Sequence, residues 1–235
     1  MKPNAFVVAA VAAAGMFTGT VRAAPLWTVT TQGIISSGFD TTGVFGVAKR
    51  DLAGLAYTQT IIANVDPSRY HLHYQSATEN NLYGTDETPA FTLIDSVDGH
   101  TVRYEVTRHQ EQQHYLVRAA LMGGQDAVST GGFGWDATDD NYLAAFAYAS
   151  TESAADSFVP TLDFGQSFTA FIGPEISSFD RFYVTGTRGT VYFGGDVQVL
   201  EVVASNSVDV PEPASTALFG AGLLGLIVLR RYGTR

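Results

Sequence analysis

The stretch FTLIDSVDGHTVRYEVT, from Phe91 to Thr107, decides the fold class. Apolar and polar side chains alternate on both sides of Asp98-Gly99, which is typical of strands that bury one face. Asp-Gly between two alternating runs is a strong hairpin signal, because both residues tolerate the positive φ angles of a tight turn. The centre of the chain is therefore predicted to hold an antiparallel strand pair.

Similar runs lie on both sides of this hairpin. Residues 55–65 alternate, with one face formed by Tyr57, Gln59, Ile61, Ala63 and Val65. Further strands are predicted at 70–74, 114–121, 167–172, 181–187 and 197–203. Roughly ten short strands separated by turns, without a long amphipathic helix, predict an all-β fold, a single β-sandwich or jelly-roll-like domain.

Two segments need separate interpretation. Residues 141–155 are rich in alanine, which suits a helix, but their aromatic side chains alternate, and we interpret the segment as a strand. Residues 33–57 are rich in glycine, and we expect Gly43, Gly46 and Gly54 to occupy turns with positive φ.

The N-terminus has the features of a secretory signal peptide. Lys2 precedes a short apolar stretch, and small residues lead to a predicted cleavage site after Ala23. Residues 1–23 are thus assigned to the signal peptide, residues 24–209 to the β-sandwich domain and residues 210–235 to a C-terminal segment. The apolar stretch is too short and too rich in alanine for a first transmembrane helix.

Charge and cysteine content limit the partners of the domain. The chain has a net charge of −10 and no cysteine, so an exported domain must fold without disulfides. The two ends hold five of the 13 basic residues and one of the 23 acidic residues, which leaves the domain at about −14. Such a surface repels phosphate backbones, so nucleic acid is not expected as a partner.

The chain finishes with VPEPASTALFGAGLLGLIVLRRYGTR, residues 210–235. Residues 214–229 carry no charge and are largely apolar, slightly fewer than the roughly 20 residues of an average membrane-spanning helix. Arg230 and Arg231 follow directly and can reach lipid headgroups. The segment therefore predicts a C-terminal transmembrane helix with its end in the cytoplasm.

Val210-Pro211-Glu212-Pro213, followed by this apolar run and Arg230-Arg231, resembles the PEP-CTERM sorting signal of Gram-negative bacteria. The resemblance implies recognition by exosortase, a membrane-embedded cysteine peptidase that cuts near the tripeptide. It further implies transient anchoring in the inner membrane, then release to the cell surface or the exopolysaccharide matrix. A plain membrane anchor is the alternative.

The best candidate ligand site within the domain is GGFGWDATDDNY, residues 131–142. Carboxylate oxygens of Asp136, Asp139 and Asp140 are ligands that Ca²⁺ prefers, although the spacing differs from an EF-hand loop. Trp135 and Tyr142 offer flat apolar faces for a sugar ring. A solvated acidic loop with its aromatic side chains packed on the sheet is the alternative, and no other cofactor is expected.

His71 and His73 form a second candidate metal pair. Residues two apart on a strand share a face, but a zinc site needs a third ligand, for which Glu105, His109 and His114 are candidates. Alternation with the core residue Leu72 on a solvated strand is the more common explanation of such a pair.

No motif in the sequence predicts catalysis. A nucleophile elbow, a cysteine nucleophile, a phosphate-binding loop and a zinc-peptidase motif are all absent from the sequence. We therefore expect an exported, non-enzymatic protein of the cell surface or biofilm matrix with a structural or adhesive role. A Ca²⁺-dependent polysaccharide-binding module and a polysaccharide-active hydrolase are the alternatives.

Overall fold

The computed structural model describes residues 25–86, 88–118, 126–138, 140–151 and 157–206. These residues form twelve β-strands and one short 3-10 helix, Pro67–Arg69. The first six strands are β1 (Pro25–Asp40), β2 (Arg50–Asp51), β3 (Ala56–Asn64), β4 (Leu72–Gln75), β5 (Glu79–Gly84) and β6 (Phe91–Val97). The others are β7 (His100–Arg118), β8 (Asp126–Asp136), β9 (Asn141–Thr151), β10 (Phe168–Phe171), β11 (Ile176–Gly186) and β12 (Gly189–Asn206). The predicted all-β class is confirmed.

The central hairpin has the predicted turn. β6 and β7 pair in antiparallel register from Val97 opposite His100 to Phe91 opposite Val106. Asp98 and Gly99, which connect the strands, have φ angles of 52° and 81°. Positive φ at both central residues is the geometry of a tight turn whose twist matches that of its strands.

The main sheet closes on itself. Eight strands hydrogen-bond in a ring, in the order β1, β3, β6, β7, β8, β9, β11, β12 and back to β1. The closing pair of β1 and β12 is antiparallel and extends from Pro25 opposite Asn206 to Asp40 opposite Val191. The remaining strands attach to this ring: β2 to β1, β10 to β12, and the β4–β5 pair to β7.

The predicted β-sandwich or jelly-roll arrangement is not confirmed, because the ring is one closed sheet rather than two stacked sheets. Inward and outward side chains alternate in the same way in both architectures, so the sequence pattern does not distinguish them. The distinguishing contact is the pairing of the first and last strands of the domain, which no local pattern signals.

Side chains fill the interior of the closed sheet. The strand face predicted for residues 55–65 is buried, with Tyr57, Ile61 and Ala63 all at most 3% exposed. Large aromatic side chains complete the core, and Phe182 and Phe193 stack with their ring centroids 5.1 Å apart.

The glycine-rich segment contains the end of β1, the short strand β2 and the turns that lead to β3. Gly43, Gly46 and Gly54 have the predicted positive φ angles of 81°, 110° and 80°. Buried Asp40 organises the loop, since its carboxylate accepts backbone hydrogen bonds from Thr42, Gly43 and Phe45 at 2.8–2.9 Å. These bonds outweigh the effect of burial and hold the pKa of Asp40 below its usual value.

Residues 1–24 and 207–235 lie outside the described residues, as do the predicted cleavage site at Ala23 and the predicted C-terminal transmembrane helix. Within the described ranges, no helix combines the length and the hydropathy that crossing a membrane requires.

Candidate functional site

An aromatic surface covers one outer side of the closed sheet. On β9, small side chains such as Ala145, Ala147 and Ala149 point inward and are buried, whereas Tyr142, Phe146 and Tyr148 point outward and are half-buried. The predicted strand over this segment is therefore confirmed for Asn141–Thr151. Neighbouring strands add outward aromatic rings, and we call the resulting set the aromatic face: Phe133, Trp135, Tyr142, Phe146, Tyr148, Phe179, Tyr183 and Tyr192.

Strand register aligns these side chains in rows across the sheet. Ala144 of β9 lies opposite Phe133 of β8 and Tyr183 of β11, and Tyr183 in turn lies opposite Tyr192 of β12. In the neighbouring row, Phe146 lies opposite Gly131, which has no side chain. A Cβ at Gly131 would come within 2.0 Å of the Ala145 carbonyl oxygen, so a larger residue does not fit there.

A groove of about 1080 Å³ lies along this face. Its lining includes Phe133, Phe146, Tyr183 and Tyr192, with Ser37 at one side. Phe179 and Tyr192 remain 49% and 46% exposed, values that are high for aromatic side chains on a sheet. Exposed apolar patches of this kind are typical of ligand-binding grooves and of surfaces that contact proteins or membranes.

Ring contacts hold the two ends of the aromatic face in place. At one end Trp135 and Tyr142 meet edge to face at 5.2 Å, and the guanidinium carbon of Arg108 lies 4.6 Å from the centre of the Trp135 ring. At the other end Tyr148 and Phe179 stack at 5.1 Å. The rings are thus positioned by strands and by one another.

Arg181 of β11 lies in the middle of this face. It is exposed, lines the groove and is opposite Phe146 on one side and Gly194 on the other. Its guanidinium makes no hydrogen bond or ion pair within the described part of the chain.

The predicted acidic site forms the turn that follows β8. Oδ1 of Asp136 accepts hydrogen bonds from the backbone of Thr138 and Asp140 at 3.2 Å, and Oδ2 accepts from the Asn141 amide at 2.6 Å. Burial raises the pKa of Asp136, but the hydrogen bonds from Asn141 and Thr138 outweigh it and lower the pKa below its usual value.

The other two predicted Ca²⁺ ligands are Asp139 and Asp140. Asp140 is exposed, and Asp139 lies outside the described residues. Among the residues that the structure describes, no group of three or more His, Cys, Asp or Glu side chains could hold a metal ion. The Ca²⁺ site at Asp136, Asp139 and Asp140 stays a prediction.

The two histidines of the predicted metal pair, His71 and His73, each contact a different neighbouring residue. Nδ1 of His71 accepts a hydrogen bond from the Thr85 backbone at 3.2 Å, and Nε2 of His73 lies 3.1 Å from Oδ1 of Asn80. Two of the proposed third ligands, His109 and His114, are buried inside the closed sheet.

The interior contains polar side chains that the alternation of the sequence did not reveal. His114 is completely buried, with Nδ1 2.7 Å from the Thr130 hydroxyl and Nε2 2.9 Å from the Gln112 amide nitrogen. Because an amide nitrogen only donates, Nε2 accepts, and the neutral ring carries its proton on Nδ1. Burial, with a smaller contribution from His109, lowers the pKa of His114 to about 3.

Two carboxyl groups share this interior. The Thr31 hydroxyl donates to Asp180, whose pKa burial nevertheless raises to about 7. Asp95, opposite Gln59 in the sheet, is fully buried with neither oxygen hydrogen-bonded, and burial together with Asp180 raises its pKa well above the usual value. No lysine or arginine is among the buried described residues, so a cationic partner for this pair is absent there.

Sequence reasoning identified only Trp135 and Tyr142 of the aromatic face. The signal for the rest was the composition of the alternating strands: on β9 the small residues point inward and the large rings point outward, the reverse of a usual core strand. Arg181 had no distinguishing signal, because its importance depends on the neighbours that β9 and β12 bring to it.

Comparison with known protein families identifies the tail. A family model described as the PEP-CTERM protein-sorting motif matches residues 209–231, a range that includes Val210–Pro213 and Arg230-Arg231. No curated protein matches the chain. The chain therefore carries the PEP-CTERM sorting motif, which marks it as an exported PEP-CTERM protein that exosortase targets to the cell surface.

Proposed function

We propose that this exported protein is an adhesive component of the cell surface or exopolysaccharide matrix, and that it binds polysaccharide through the aromatic face. The observation that carries the proposal is the set of half-exposed rings along the groove, at positions where polar side chains normally face water. No catalytic role is proposed for the domain.

Aromatic rings suit this ligand class for a physical reason. The flat faces of sugar rings present C–H groups, which pack against the electron-rich faces of aromatic side chains. Tyr183 and Tyr192 also carry hydroxyl groups that can bond to sugar hydroxyls at the edge of each contact. A rigid strand-borne surface loses little conformational entropy on binding, which favours recognition of a long, repetitive polymer.

The tail completes the proposed sequence of events. The apolar run of residues 214–229 holds the chain at the inner membrane while exosortase acts near Pro211-Glu212-Pro213. Proline restricts the residue before it to extended backbone, so this segment resists helix formation and is presented as an extended substrate. The processed domain then reaches the matrix with its aromatic face available.

Affinity electrophoresis in gels that contain the exopolysaccharide of the producing cells tests the binding function. We expect the protein to be retarded, and Phe146→Ala or Tyr183→Ala to reduce the retardation. Phe171→Ala is the matched control, because Phe171 is 78% exposed on β10 and does not line the groove.

Equal retardation of all three variants and the wild type would assign binding to another surface. An unretarded wild-type protein would contradict the binding function, and would leave a structural role without this ligand.

A further inference from the structure

A positively charged side chain stands among the rings of an acidic protein. The chain carries a net charge of −10, yet the exposed charged residue that lines the groove is Arg181. Asp180, which also contributes to the lining, is buried and its side chain bonds to Thr31 in the interior. The groove therefore presents a cation on a protein that is negative as a whole.

The guanidinium is also free to bind. Within the described residues Arg181 has neither a hydrogen-bond acceptor nor an ion-pair partner, although the protein offers many carboxylates. Opposite it on β12 is Gly194, which has no side chain and leaves space above the sheet. A guanidinium has a planar set of donors that matches the two oxygens of a carboxylate.

We propose that the groove selects polysaccharides whose sugars carry carboxylates, and that Arg181 binds one carboxylate while Phe146 and Tyr183 contact the ring. This inference rests on the proposed polysaccharide-binding function and adds the class of ligand. Neutral sugars would leave the guanidinium unpaired in the bound state, which costs binding free energy. The preference for charged over neutral polysaccharides then comes from the contact between Arg181 and a carboxylate, and not from the aromatic rings.

The charge next to this contact limits how many carboxylates the groove accepts. Asp196, which is not part of the groove lining, is exposed on the same outer side of β12, two residues after Gly194, and it makes no ion pair with Arg181. A second carboxylate beside the first would meet this negative charge. Asp196 therefore provides a variant that should strengthen binding, whereas variants of Arg181 should weaken it.

The test compares polygalacturonate with its fully methyl-esterified form, which has the same sugar chain without the charge. Protein from cells that express the full chain is used, and binding is measured by affinity electrophoresis and by calorimetry at low salt. We expect polygalacturonate to bind at least about tenfold more tightly than the ester, since hydrogen bonds to charged groups are the strong ones. Arg181→Gln should remove that difference, and Asp196→Asn should enlarge it.

The possible results separate the two proposals. Equal binding of both polymers, unchanged in Arg181→Gln, would overturn the selection of carboxylates and leave the polysaccharide-binding function intact. Binding of neither polymer nor the exopolysaccharide would overturn both. Thermal unfolding of Arg181→Gln at the wild-type temperature serves as the folding control, because this side chain makes no hydrogen bond or ion pair within the described residues.

Discussion

At the scale of single residues, two carboxyl groups buried inside the closed sheet make the stability of the protein depend on pH. Asp95 and Asp180 are buried without a cationic partner among the described residues, and burial favours the protonated, uncharged form of each. An unfolded chain releases those protons near pH 4, so near neutral pH the folded state binds more protons than the unfolded state. The stability of the protein should therefore fall as the pH rises.

We expect the free energy of unfolding to decrease by roughly 1–3 kcal/mol between pH 6.5 and 8.5. At the start of this range the folded state still holds protons that the unfolded state has lost, because the pKa of Asp180 is raised to about 7 and burial also raises the pKa of Asp95. His109 and His114, whose pKa values burial lowers, act in the opposite direction. They do so only below about pH 6.5, where the unfolded histidines take up protons.

Urea unfolding at a series of pH values measures this effect. The double variant Asp95→Asn, Asp180→Asn keeps polar side chains at both positions but removes the groups that titrate. Its free energy of unfolding should not change with pH over the same range. A wild-type protein equally stable at pH 6.5 and 8.5 would show that the two carboxyl groups are ionised or solvated in the folded state.

At the scale of elements, the turn between β8 and β9 depends on one side chain. Asp136 accepts hydrogen bonds from the backbone and side chains of the turn, whereas the side chain of Asp140, in the same turn, is exposed. These bonds fix the connection that carries Trp135 and Tyr142 into contact.

We expect Asp136→Ala to lower the free energy of unfolding by about 1–2 kcal/mol, because several backbone donors lose their acceptor. Asp140→Ala removes the same charge from the same turn and should change stability little. Thermal unfolding in buffer with EDTA compares the two variants without a contribution from Ca²⁺. Equal losses in both variants would indicate that the turn responds to charge rather than to the bonds of Asp136.

Local elements were predictable from the sequence where one short segment contains all the necessary information. Asp98-Gly99 specifies its own turn, and the alternation around it specifies β6 and the start of β7. The positive φ angles of Gly43 and Gly46 were likewise predictable, because they depend only on the residue type and the local turn. The buried polar side chains were not predictable, because His114 and Gln112 on β7 alternate in the same way as solvent-facing residues would.

The aromatic face was predictable only where two of its members are close together in the sequence. Trp135 and Tyr142 are seven residues apart and meet across one turn. Phe146, Arg181 and Gly194 belong to three strands, and their juxtaposition depends on a register that a single sequence does not contain.

At the scale of the whole molecule, the seam between β1 and β12 determines the architecture. Thr30 and Glu201 lie directly opposite each other across this seam. Paired positions of this kind have the separation that a disulfide requires, and the chain contains no cysteine that could form a competing bond.

We expect the variant Thr30→Cys, Glu201→Cys to form a disulfide and to be stabilised by about 2–4 kcal/mol when oxidised, because the bond closes nearly the entire domain. Ser96→Cys, Thr101→Cys is the matched control, since this pair crosses the β6–β7 hairpin and closes a very short loop. Urea unfolding with and without a reductant measures both gains, and the seam bond should give the larger one. Failure of the seam cysteines to oxidise would contradict the closed ring.

The seam also has a consequence for the order in which the protein matures. One edge of β1 has no partner until β12 has crossed the membrane, so the most distant contact of the domain forms last and closes slowly. The sorting motif begins at residue 209, just after β12 ends at Asn206. Because the strand that completes the closed sheet directly precedes the sorting segment, a chain released before β12 pairs with β1 would carry an unprotected strand edge.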